Sequence, residues 1–117
     1  MTQDSRKAII ELLFLSLYTD DHLSLAEDGV LNEALDSLGW EGDEPRERFI
    51  FTAFADAREA HSEISKAQAF FTDRAAAIKS EGSEAEALTW LTKVLAADGF
   101  SPSEKYLLTR LEQFWYP

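Results

Sequence analysis

The chain predicts an all-α fold, one domain built as a bundle of about six helices. Three observations carry this. Apolar residues recur at steps of three and four, the helical period, and strand-type alternation is absent. Only three prolines and five glycines interrupt 117 residues. Capping residues stand before most of the apolar runs. This length suits one core, and 45% apolar against 28% charged residues is a globular balance.

The first helix spans roughly residues 5–20, with Ile10, Leu13, Phe14, Leu17 and Tyr18 on one face. Ile9, Leu12 and Leu15 widen that face, so the helix is expected at the centre of the bundle, buried on most sides. A second helix is expected to start at Ser24, carry Val30, Leu31, Ala34, Leu35 and Leu38, and stop at Gly39. "WEGDEP" reads as a turn, with Asp43 as cap and Pro45 in the first turn of a third helix. That helix carries Phe49, Ile50, Ala53, Phe54 and Ala57 and fades near His61.

Ser62 reads as the cap of a fourth helix holding Ile64, Ala67, Phe70, Phe71, Ala75 and Ile78, ended by "KSEGS". Ser83, with Glu86 three residues on, has capping-box spacing for a fifth helix with Leu88, Trp90, Leu91, Val94 and Leu95. The sixth begins at Ser101 and carries Leu107, Leu108, Leu111, Phe114 and Trp115.

Two of these helix pairs repeat one another. "DHLSLAE" (21–27) and "DGFSPSE" (98–104) share Asp, Ser and Glu at equal spacing. At the same offset of 77, Leu13 falls on Trp90, Phe14 on Leu91, Leu17 on Val94 and Tyr18 on Leu95. Beyond the loop, Val30 falls on Leu107, Leu31 on Leu108, Ala34 on Leu111 and Leu38 on Trp115. The domain therefore reads as hairpin one (about 5–39), a middle helix pair (about 44–80) and hairpin two (about 83–116).

Within the loops, Ser24 with Glu27 and Ser101 with Glu104 have the spacing of capping boxes, and Pro102 suits a first helical position. Asp21 and Asp98 are less easily explained. Each stands where a helix ends, and a negative charge there opposes the helix dipole by about 0.3–1 kcal/mol. Two causes stay open: an Asx-type turn, or a cation shared by Asp21, Glu27, Asp98 and Glu104. Four carboxylates suit Mg²⁺ or Ca²⁺, and adding His22 shifts preference to Mn²⁺ or Zn²⁺. EF-hands are excluded. Counting from Asp20, the sixth residue is Leu25 and the twelfth Leu31, where that motif needs glycine and glutamate.

"AADGFSPSE" (96–104) resembles the signature of the TerB-like family, and "TDDHLSLAE" (19–27) resembles the same element with His22 in place of glycine. TerB-like domains are small, all-helical and associated with tellurite resistance. The resemblance implies a helical bundle with acidic loop residues as suspected metal ligands, working in stress-response or membrane-associated complexes. By position those ligands are Asp21, Glu27, Asp98 and Glu104. It says little about residues 40–84.

Lys and Arg number 11 against 22 Asp and Glu, a formal charge of −11. Such a surface repels phosphate backbones and anionic lipid heads, so no nucleic-acid partner and no membrane insertion are expected. Cations and basic protein patches are the favoured partners. There is no cysteine, so thiolate chemistry and Cys-type zinc sites are excluded. No signal-peptide pattern opens the chain, and a cytoplasmic location is expected.

An enzyme is not expected. The histidines are His22 and His61 alone, and no G-x-S-x-G, phosphate loop or H-E-x-x-H occurs. Asp56 and Glu59 near His61 form a weak alternative cation cluster, better read as a solvated helix face. Trp40, Trp90 and Trp115 read as packing residues. Phe114 and Tyr116, in the tail "FWYP", are the candidate contact surface for a protein partner.

Overall fold

A computed structural model describes the chain apart from residues 20–29 and 97–101; for residues 19, 30, 31 and 102–104 it describes the backbone alone. Six α-helices follow in order among the described residues: α1 (Gln3–Thr19), α2 (Val30–Leu38), α3 (Arg46–His61), α4 (Ile64–Ser80), α5 (Glu84–Ala96) and α6 (Pro102–Trp115). There is no strand among them. None of these helices is long and apolar enough to cross a membrane.

α1 is the centre of the bundle. Ile9, Leu12, Leu13, Phe14 and Leu17 are fully buried, because the helix is covered by α3 and α4 along most of its length and by α5 and α6 besides. A helix apolar on nearly every side is stable in water only if neighbours enclose it. It starts two residues earlier than the periodicity predicts. Thr2 is the reason: its hydroxyl accepts the Ser5 N–H at 3.2 Å and its carbonyl accepts the Arg6 N–H at 3.1 Å.

The first half of α1 also fastens the connection between α2 and α3. Gln3 Oε1 accepts the Glu41 N–H at 2.9 Å. Arg6 Nε donates to the Leu38 carbonyl at 3.2 Å, one of the last carbonyls of α2, and Lys7 pairs with Glu44 at 3.2 Å. Trp40 donates its indole N–H to the Glu44 carbonyl at 2.7 Å and packs on Phe49.

Two capping expectations need correction here. Pro45 precedes α3 with φ −61° and ψ 134°, rather than lying in its first turn, and its carbonyl accepts the N–H of Arg48 and Phe49. Asp43 is exposed and is not the flanking residue of that helix. Ser62 closes α3 instead of opening α4. Its hydroxyl donates to the Glu59 carbonyl at 2.6 Å, and Glu63, in extended conformation, is the residue before α4.

The α4–α5 junction is a Schellman turn. Gly82 takes φ +68°, a left-handed conformation that glycine adopts without a Cβ penalty. Its N–H reaches the Lys79 carbonyl at 3.1 Å, and the Ser83 N–H reaches the Ile78 carbonyl at 3.2 Å. Ser83 then starts α5 with its carbonyl, which accepts the Ala87 N–H at 2.9 Å. Its hydroxyl, however, accepts from Ser5 at 3.2 Å and not from the helix it precedes. The expected capping box is thus replaced by a buried serine pair that ties the start of α1 to the start of α5.

The two repeated helix pairs touch crosswise, although α5 packs on α6 while α1 and α2 make no comparable contact among the described residues. α1 lies against α6, and α2 lies against α5. Exchanging the hairpins maps one contact onto the other. At equivalent positions Leu13 and Trp90, Phe14 and Leu91, and Leu38 and Trp115 are all buried.

Candidate functional site

Of the residues that the sequence nominates as cation ligands or loop caps, Asp21, His22, Ser24, Glu27, Asp98 and Ser101 lie outside the described residues. Glu104 lies in α6 and is described in its backbone alone. Among the described residues no three His, Asp or Glu side chains converge as metal ligands would.

Asp56 and Glu59 do not form a cation cluster of their own. Lys66 Nζ sits 2.6 Å from Glu59 and 3.9 Å from Glu63, so the turn between α3 and α4 already holds a protein cation. The lysine hydrogen bond, and next its charge, hold the Glu59 carboxyl below the usual carboxylate range.

The tail residues divide. Phe114 is half-buried and meets Phe71 edge-on, with ring centroids 6.4 Å apart. Tyr116 is 55% exposed. Trp115 between them is buried, its indole N–H donating to the Ala75 carbonyl at 2.9 Å. Of the candidate contact residues, Tyr116 is thus the exposed one and Phe114 is partly taken up by its packing on Phe71.

A concavity lies elsewhere, between α4 and α6 over α1. It encloses about 400 Å³. Leu15, Phe71 and Leu107 form its floor and are themselves buried. Ile64 and Tyr106 stand beside it at 81% and 63% exposure, although Ile64 belongs to the apolar series that predicts α4. At the start of α4 none of the described elements covers that face. The series continues past the edge of the core.

Charge in this groove runs against that of the chain. None of its described lining residues is Asp or Glu. Arg110 lies on its wall, with its guanidinium carbon 4.1 Å from the Phe71 ring centroid and 5.6 Å from that of Tyr106. Both distances are those of cation–π contact. Sequence reading passed over this group because it selects the inward face of each helix. The available signal was the Tyr106–Arg110 pair, four residues apart on one side of α6 and off its apolar stripe.

Comparison with protein-family models, curated proteins and solved structures gives no match to this chain.

Proposed function

We propose that the protein is a non-enzymatic, cytoplasmic helical interaction domain of TerB-like type, and that it engages a partner through the groove between α4 and α6. One observation carries this: two large apolar side chains, Ile64 and Tyr106, are left exposed on either side of an apolar cleft. Scattered apolar residues on a surface are ordinary, but a pair flanking a concavity marks a place where a partner can bury area without moving the backbone. At about 25 cal/mol per Å², covering such side chains stabilises a complex by a few kcal/mol before association entropy is subtracted.

The test uses random 16-residue peptides displayed on phage, selected against the full chain. Recovered peptides should bind the wild type and lose affinity for an Ile64→Ser/Tyr106→Ser double variant. Both residues are exposed, so the fold is expected to survive. If no recovered peptide depends on these two positions, the docking role is wrong.

A second function is favoured by the duplicated loops: binding of a divalent cation through Asp21, Glu27, Asp98 and Glu104, with His22 as a further ligand. The crosswise contacts of α1 with α6 and of α2 with α5 support it, since they bring the two repeated helix pairs against one another. Melting in the presence of Ca²⁺, Mg²⁺, Mn²⁺ or Zn²⁺ is the measurement that separates it from structural loops.

A further inference from the structure

We propose that the α4–α6 groove selects a partner segment that carries one carboxylate among apolar side chains, and that Arg110 is the residue that reads the carboxylate. This rests on the docking role proposed above and specifies its partner.

In a chain with 22 acids and 11 lysines and arginines, a basic side chain normally finds an acid. Arg6, Lys7, Arg46, Lys66 and Arg74 all lie within 4.0 Å of a carboxylate. Unpaired bases such as Arg58, Lys79 and Lys93 are exposed, where water satisfies them. Arg110 differs from both groups. It is half-buried, and among the described residues it has no carboxylate partner. Phe71 and Tyr106 compensate part of its desolvation through their ring faces. They accept none of its five N–H donors in the way a planar carboxylate does. A cation held against aromatic rings, in a cleft whose described lining carries no acid, is prepared for an incoming anion.

The dimensions favour a protein segment over a small amphiphile. The cleft floor is already closed, with Phe71 at 3% and Leu107 at 8% exposure, so a molecule lying within it would gain little apolar contact. The uncovered apolar area is on the flanks, at Ile64 and Tyr106. An amphipathic segment crossing the cleft covers both and sets one acid against Arg110. A second copy of the chain is disfavoured by a charge of −11 on each molecule. For the same reason the segment should carry a single acid at the contact rather than an acidic run, which the surrounding surface would repel.

Peptides from the display selection provide the test. Each is synthesised as recovered, and again with its acid replaced by the corresponding amide or by lysine. All are titrated by fluorescence anisotropy against wild type, Arg110→Met, Arg110→Lys, Arg110→Glu and Ile64→Ser. A half-buried charge-assisted hydrogen bond supports an expected loss of about tenfold for the amide peptide on wild type, and a similar loss for the original peptide on Arg110→Met. The two changes together should cost little more than either alone. Arg110→Lys should fall between, having charge without the planar fork, and Arg110→Glu should prefer the lysine peptide.

Peptides that need Ile64 but ignore both Arg110 and their own acid would overturn carboxylate selection while leaving the docking role standing. Peptides indifferent to the Ile64→Ser/Tyr106→Ser double variant would overturn both. Displacement of groove-bound peptides by decanoate at equal concentration would overturn the protein segment as occupant. Dimerisation in sedimentation velocity that Ile64→Ser abolishes would do the same in favour of a second copy.

Discussion

Trp115 donates its indole N–H to the backbone carbonyl of Ala75 across 2.9 Å, in the buried seam between α6 and α4. A mid-helix carbonyl has a second lone pair beyond the one used by its own helix, and the indole takes it. The bond fixes the depth to which α6 descends on α4, and it places Phe114 against Phe71 below the groove.

Trp115→Phe keeps an aromatic ring but removes the donor and part of the volume. The expected loss of stability is about 1–3 kcal/mol, combining a small cavity with one hydrogen bond. Urea denaturation measures it. A midpoint equal to that of the wild type would show that this contact does not hold α6 in place.

Arg74 joins α4 to α1 by a stronger device. Its Nη2 and Nε lie 2.7 and 3.0 Å from Glu11 Oε2, and its guanidinium carbon is 3.9 Å from the Phe70 ring centroid. The side chains of Arg74 and Glu11 are 26% and 14% exposed, so the pair is screened less than a surface bridge. Arg74→Met should cost about 1–3 kcal/mol and Glu11→Gln somewhat less, since glutamine still accepts a hydrogen bond. A double-mutant cycle by denaturation should show the losses to be non-additive. Simple additivity would mean that the two side chains contribute separately.

Glu59 and Lys66 give a pH-dependent contact on the surface. The carboxyl is held below its ordinary value in the folded state, first by the Lys66 hydrogen bond and then by its charge. A depressed folded value means a contribution present above the unfolded value and lost as pH falls through the folded one. Carboxyl NMR titration should therefore give Glu59 a lower midpoint than exposed glutamates without a basic neighbour. Lys66→Gln should return it to the ordinary range. An unchanged midpoint in that variant would exclude Lys66 as the cause.

The cation function makes a distinct thermal prediction. A ligand that binds the folded state alone, at about 100 times its Kd, adds roughly 2.7 kcal/mol. For a domain of this size that raises Tm by several degrees, on the order of 10 °C. Asp21→Asn and Asp98→Asn should each lose most of the shift, and without cation they should be no less stable than wild type, because a repulsive charge has gone. If the aspartates instead close Asx turns, asparagine should be nearly silent. A melt series flat across Ca²⁺, Mg²⁺, Mn²⁺ and Zn²⁺ would remove the cation function.

What the sequence determined by itself was the set of helices and the identity of the central one. A run in which Ile9, Ile10, Leu12, Leu13, Phe14, Leu15 and Leu17 are all apolar leaves α1 no stable place except the interior, wherever its neighbours come from in the chain. The ends of helices were less legible, because a cap is a choice among nearby donors and acceptors. Ser83 had the spacing to cap α5, yet its hydroxyl is engaged by Ser5, 78 residues earlier in the chain. Ser62 had the composition of an N-cap and serves the preceding helix.

The groove was decided by tertiary structure alone. Ile64 carries the same pattern signal as Phe70 and Ile78, but burial depends on whether another element reaches that end of α4, and none of those described does. Periodicity reports which side of a helix faces inward; only packing decides where along that side the interior stops.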